Sequence, residues 1–227
     1  MHPVSLPPEV RARIMARRGR FHMFERLDTS RSALVVIDMQ RAFCATGAPV
    51  EVPIARAIIP NINQLARVCR AAGVPVVWVR MTAWDRDGET SWPLFYSHFA
   101  TPDFGARHLA ALTAGSDLHA LADGLDVDAA DAVIDKTRFS ALIQGSSDLD
   151  AWCRARGIDT LIIAGTLTNR CCESTARDAM MIGYKVVFIE DANATTSDDE
   201  HQAALVNVAV AFGDLRRTDE VAGLLLA

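Results

Sequence analysis

Five short apolar runs, separated by stretches with helical spacing, constrain this chain more than any other feature. Ala33-Leu-Val-Val-Ile37 is continuous rather than alternating, as in a strand buried on both faces. Val74-Pro-Val-Val-Trp-Val79, Ala132-Val-Ile134, Thr160-Leu-Ile-Ile-Ala164 and Lys185-Val-Val-Phe-Ile189 read as four more strands. Between them, Ile58, Ile62, Leu65, Val68, Cys69 and Ala72 predict a helix over 54–72, stopped by Gly73. Further helices are expected over 148–156, from Cys171 to about Ile182 before Gly183, over 199–211, and from Thr218 to Leu226. Strands alternating with helices pair in parallel through right-handed crossovers. The predicted fold class is therefore α/β, a three-layer sandwich around a mostly parallel sheet.

Two regions fall outside this rhythm. Residues 81–125 are irregular and carry Trp84, Trp92, Phe95, Tyr96, Phe99 and Phe104, which reads as an insertion or a set of loops. Residues 1–30 read as an N-terminal arm, leaving 31–227 as the main domain. Pro7, Pro8 and Glu9 mark a helix start in the arm. Arg11, Arg13, Arg17, Arg18 and Arg20 follow. They suit contact with an acidic ligand or partner subunit, but a solvated helix face is the plainer expectation.

The 227 residues are half hydrophobic, enough for one domain with a substantial core. A net charge of −5 offers no basic field for nucleic acid or an anionic membrane. No apolar stretch approaches the ~20 residues of a membrane helix. The first nine residues lack the charged-then-apolar layout of a signal peptide. Five cysteines, an odd number, suggest reduced thiols and a cytoplasmic protein.

Ligands of open α/β sheets bind beyond the carboxyl ends of the strands. Three reactive side chains are expected there. Asp38 follows the first run, Lys136 the third, and Cys171 stands a turn beyond the fourth. A thiol at a helix N-terminus meets unpaired N–H groups and the helix dipole, which lower its pKa. Singly, Asp38 suits a turn cap, Lys136 a surface lysine and Cys171 a small buried hydrophobe. Jointly, they point to one assembled site.

The segments Val-Val-Ile-Asp38-Met-Gln40…Phe43, Asp135-Lys136-Thr-Arg-Phe139-Ser140 and Ala-Gly165-Thr-Leu-Thr-Asn-Arg-Cys171-Cys-Glu-Ser-Thr-Ala-Arg-Asp178-Ala resemble the isochorismatase-like cysteine hydrolases over about residues 30–220. Within that superfamily the chain looks more like the amidohydrolase branch than like true isochorismatases, which lack the nucleophilic cysteine. The resemblance implies a Rossmann-like, isochorismatase-type fold. It also implies that Asp38 is the catalytic acid–base, Lys136 the catalytic lysine and Cys171 the nucleophile. It further implies a cis Thr166–Leu167 peptide and an oxyanion hole built from the N–H groups of Leu167 and Cys171. Cys172 projects about 100° away on a helix, and the family spacing to Thr175 selects Cys171.

No histidine stands in Arg80-Met-Thr-Ala-Trp-Asp85-Arg-Asp87, where the resembling nicotinamidases carry metal ligands. No metal is expected. Without a Gly-x-Gly-x-x-Gly or Walker-type loop, no cofactor is expected either. Gln40, Phe43, Arg80, Trp84, Trp92, Phe139 and Arg170 are candidate substrate contacts, with an arginine suited to a substrate carboxylate. Packing or structural duty is an equal alternative for Gln40 and the aromatics. The expected partner is a small amide, ureido or N-carbamoyl substrate, with a homodimer or homotetramer as the expected assembly. Hydrolysis of another acyl bond, a non-catalytic binding role and a Cys171–Cys172 redox role are the rivals. Retention of all three reactive groups weighs against the second, and the strain of a vicinal disulfide against the third.

Overall fold

Period-two alternation sorts the strand residues onto the two faces of one sheet. The computed structural model describes residues 1–3 and 5–226, so Val4 of the expected arm and Ala227 of the expected domain lie outside the described residues. β1 (Ser32–Ile37), β2 (Val76–Met81), β5 (Ala132–Lys136), β6 (Thr160–Thr166), β7 (Lys185–Ala194) and β8 (Asp214–Arg216) form a six-stranded sheet in the order β5-β2-β1-β6-β7-β8. Every adjacent pair is parallel. β3 (Asp85–Arg86) and β4 (Glu89–Thr90) make a separate two-stranded hairpin.

On β1, Leu34 and Val36 point into one core, while Ala33, Val35 and Ile37 point into the other. The first core is covered by α3 (Ala55–Ala71) and α9 (Thr218–Leu226), with α2 (Arg41–Cys44) beside it. α4 (Pro93–His98) and α5 (Pro102–Leu112) give the irregular region its regular parts. The second core is covered by α1 (Pro8–Arg18), α6 (Leu149–Arg154), α7 (Glu173–Met181) and α8 (Asp198–Asn207). Helices on both faces of a parallel sheet make the three-layer sandwich expected from the sequence.

The differences from expectation have local causes. β2 starts two residues late because Val74 N–H closes the end of α3 on Cys69 O, and Pro75 offers only its carbonyl, which accepts from Leu34 N–H. β8 escaped notice because three residues, two of them charged, make no apolar run. It pairs Leu215 with Phe188. The predicted 199–211 helix ends at Asn207 and widens into a π turn, Val208–Phe212.

The arm folds back onto the domain. Val10 and Ile14 of α1 are buried in the second core. Burying such a side chain stabilises by roughly 1.5–3 kcal/mol. Arg11, Arg13 and Arg17 are exposed, as expected for a solvated face. Two arginines nonetheless contact the domain at the end of the α8 segment: Arg17 donates to Val210 O, and the half-buried Arg18 to Ala209 O (2.6 Å) and Val210 O (3.0 Å), where a cation meets the negative pole of a helix. Among the described residues no helix is long and apolar enough to cross a membrane.

Candidate active site

Sheet order reverses direction between β1 and β6, the switch point where open α/β sheets bind ligands. Both central side chains of the site leave from these two strands. Asp38, directly after β1, has φ +53°, a left-handed conformation that aspartate tolerates better than most residues. Its N–H donates to Val79 O at 2.8 Å, which holds the turn against β2. β6 lies unusually close to β1. A Cβ on Gly165 would stand 2.1 Å from Ile37 O, so only glycine allows this approach. The peptide between Thr166 and Leu167 is cis. The chain then enters a π turn, Thr168–Cys172, closed by Cys172 N–H on Leu167 O at 3.2 Å.

Lys136 arrives from further away. It is the last residue of β5, an edge strand, and its side chain crosses β2 without any exposure. Its ammonium stands 2.9 Å from Asp38 Oδ2, 3.4 Å from Cys171 Sγ, 3.4 Å from Met81 Sδ and 3.0 Å from Arg138 O. Asp38 and Lys136 are fully buried and Cys171 nearly so. The three side chains predicted to converge therefore meet around one ammonium group.

Burial pushes the Cys171 thiol up to about 12, with the Asp38 carboxylate adding to the rise and Lys136 opposing it. This reverses the lowered pKa expected for a thiol at a helix start, because the loss of solvation outweighs the helix terminus. Burial likewise raises Asp38 above the ordinary aspartate value, against the pull of Lys136. Burial works to lower Lys136, but Asp38 and Cys171 outweigh it, and the amine stays protonated. The site thus brings together a thiol, an aspartate of raised basicity and an ammonium.

Of the vicinal cysteines, Cys171 lines a cavity of about 340 Å³, and Cys172 is buried in the second core. Thr175 fixes the turn. Its hydroxyl donates to Cys171 O (2.7 Å) and accepts from Ala141 N–H (3.1 Å), which ties the cysteine to the segment after Lys136. All five cysteines are free and buried.

Phe43, Phe139, Leu167 and Arg170 line the cavity, as the sequence suggested. Four other candidate contacts do not. Gln40 is fully buried and its amide is consumed: it donates to Met81 O (3.1 Å) and His119 O (3.0 Å) and accepts from Met81 N–H (2.7 Å). Arg80 points along the sheet to Asp135, at 2.8 Å. Trp84 stacks under Arg86, 4.7 Å from its ring centroid. Trp92 stands behind Phe139, edge-on at 4.8 Å. Arg138, another cation near the strand ends, donates to Ser91 O and Thr137 O.

The rest of the wall comes from Val50 and its neighbours after α2, from Phe95 and from Phe104 and His108 of α5. Sequence reasoning placed Phe95 and Phe104 in the aromatic cluster of the irregular region; it missed the 48–52 segment, His108, Met81 and Thr196. The Gly47-Ala-Pro-Val-Glu-Val-Pro53 loop carried a signal, being a Pro-rich connection beyond a strand's carboxyl end. His201 hydrogen-bonds Thr168 Oγ1 through Nδ1 (2.9 Å) and stacks on His2 of the arm at 4.4 Å. Among the described residues no three His, Cys, Asp or Glu side chains come together in an arrangement able to hold a metal ion.

Residues 32–220 match the model of the isochorismatase domain. The chain is 35% identical over 201 residues to the ureidoacrylate amidohydrolase RutB of Yersinia enterocolitica, covering 82% of this chain and 85% of that protein. The crystal structure of a cysteine hydrolase from Pseudomonas syringae superposes with a TM-score of 0.81 at 28% identity, covering 91% of this chain and 97% of that one. N-carbamoylsarcosine amidase from Thermoplasma acidophilum superposes at 0.66 with 26% identity, over 83% and 97% of the two chains. The chain belongs to the isochorismatase-like hydrolases, in the branch that includes these amidohydrolases.

Proposed function

We propose that this protein is a cysteine-dependent amidohydrolase. It cleaves a C–N bond of a small ureido, N-carbamoyl or carboxamide compound through a covalent acyl-enzyme and releases ammonia. The observation that carries this reading is the buried contact of Lys136 with both Asp38 (2.9 Å) and Cys171 (3.4 Å) at the wall of a substrate-sized cavity.

Asp38 takes the proton of the Cys171 thiol as sulfur attacks the carbonyl carbon. Its raised basicity narrows the gap to the thiol, and the Lys136 ammonium stabilises the sulfur anion as it forms. The C–S bond forms, and the carbonyl oxygen takes up the negative charge. The N–H groups of Leu167 and Cys171, both on the turn lining the cavity, are the donors assigned to that oxygen. Collapse breaks the C–N bond, the proton on Asp38 goes to the departing nitrogen, and ammonia leaves. Asp38 then accepts a proton from water, whose oxygen attacks the thioester carbon; the C–S bond breaks, the acid product leaves, and the proton on Asp38 passes to the departing sulfur to restore the thiol. Lys136 occupies the third place of a triad, holding the carboxylate and anion in position. Nothing in this sequence of steps calls for a cofactor.

The test is ammonia release over ureido acids, acylureas and simple amides, with Cys171→Ala and Cys172→Ala in parallel. Turnover is expected to vanish only in Cys171→Ala, and intact-mass spectrometry is expected to trap the acyl group on Cys171. Equal loss in both variants, or an adduct on Cys172, would overturn the assignment.

A further inference from the structure

One polar side chain in the cavity wall has no part in the reaction above. His108 of α5 is only 7% exposed and lines the same cavity as Cys171. The rings of Phe95 and Phe104 flank it, with centroids at 5.3 and 5.8 Å. Its Nδ1 lies 2.9 Å from the Tyr96 hydroxyl. Nε2 has no protein partner among the described residues, and it is not one of the buried polar atoms sealed from solvent. Burial pushes the ring's pKa down to about 4, and the nearby Lys136 charge adds to this, so the imidazole is neutral at working pH. In a neutral imidazole one nitrogen donates and the other accepts.

The partner of Nδ1 decides which nitrogen does which. A phenol is a stronger proton donor than a neutral imidazole. Tyr96 therefore gives its proton to His108 Nδ1. Nδ1 is the acceptor, and the ring's single proton sits on Nε2.

We infer that His108 is a specificity-determining residue: its Nε2–H donates to a second, uncharged carbonyl oxygen of the substrate, distinct from the oxygen of the carbonyl under attack. The substrate class is then acylureas, biuret-like compounds and diamides. This rests on the hydrolase reading and narrows it. A carboxylate suits the position poorly. Phe95, Tyr96 and Phe104 surround His108, and one neutral donor there does not offset the desolvation of a full charge; Arg170 is the cation in the lining of the same cavity. Lys136 is already engaged by Asp38, Cys171 and Arg138 O. A carbonyl needs only one donor.

The experiment compares an acylurea with the alkylurea in which a methylene replaces its second carbonyl. His108→Phe is expected to lower the ratio of their kcat/KM values by about 10- to 100-fold, the scale of one lost buried hydrogen bond to substrate. Tyr96→Phe, which frees the tautomer, is expected to lower it less. An unchanged ratio in His108→Phe overturns the inference. A separate readout needs no turnover: ¹⁵N NMR of the wild-type protein is expected to show His108 as the Nε2–H tautomer, with an Nε2 shift when the acylurea is added to Cys171→Ala. An Nδ1–H tautomer, or no shift at saturating acylurea, also overturns it. If the wild type hydrolyses neither compound yet the shift appears, the hydrolase reading fails and the recognition role of His108 stands.

Discussion

Lys136→Met removes the ammonium at the centre of the site while keeping a long, flexible side chain of similar reach. Asp38 is then left fully buried with its one close cation gone, 2.9 Å away in the native protein. Removing one partner of a buried ion pair costs about 3–5 kcal/mol when the other must stay charged. Asp38 escapes that cost by binding a proton, so the penalty depends on pH. The native Asp38 pKa already lies above the ordinary 3.8 because of burial, and losing Lys136 raises it further. A group whose folded pKa is raised contributes stability that is present at low pH and is lost as pH climbs through the folded value. The difference between wild type and Lys136→Met in urea unfolding is therefore expected to be smallest at the acid end of the folded range. It should grow as pH rises above the ordinary aspartate value and reach about 3–5 kcal/mol where Asp38 must stay charged. Asp38→Asn/Lys136→Met, which buries neither charge, is expected to recover most of the loss at pH 8, while both variants lose turnover. A stability difference that does not change with pH, or a double variant no more stable than the single one, would refute the buried-pair account.

Three further outcomes follow from the same geometry. The acid limb of kcat/KM is expected to fall above the ordinary aspartate value of 3.8, since burial raises the base Asp38; activity should rise with pH through that limb, and a limb at or below 3.8 contradicts the assignment. Gly165→Ala is expected to cost at least about 3 kcal/mol in thermal or urea unfolding, because the new methyl meets the Ile37 backbone at 2.1 Å with φ at +125°; a loss under about 1 kcal/mol would show that β1 and β6 are not so closely joined. Gln40→Ala unpairs Met81 N, Met81 O and His119 O; it is expected to cost about 2–4 kcal/mol of stability without reordering substrate preference, and a changed substrate ranking would return Gln40 to the binding site.

Much of this architecture was legible in the chain. The continuous run Ala33–Ile37 announced a strand covered on both faces, and both faces are covered. The same reading missed β8, whose Asp214-Leu215-Arg216 carries no apolar signal because β7 alone gives it its pairing. Phe43, Phe139 and Arg170 line the cavity, whereas Gln40, Arg80, Trp84 and Trp92 do not. All seven stand close to strand ends in sequence. Whether each faces ligand or protein depends on partners such as Met81, His119 and Asp135, and no local pattern names them.

The residue types and their order, by themselves, determined the layered α/β form and the placing of Asp38, Lys136 and Cys171 at strand ends; the preference for Cys171 over Cys172 came from the family resemblance. Strand periodicity and strand-end placement are local properties, so they are written in the chain. Only the tertiary structure decided the protonation of the site and the character of its walls. A thiol pKa depends on how completely other segments exclude water from it. A cavity built from the 47–53 loop, α4 and α5 exists only once those segments have packed against the carboxyl edge of the sheet.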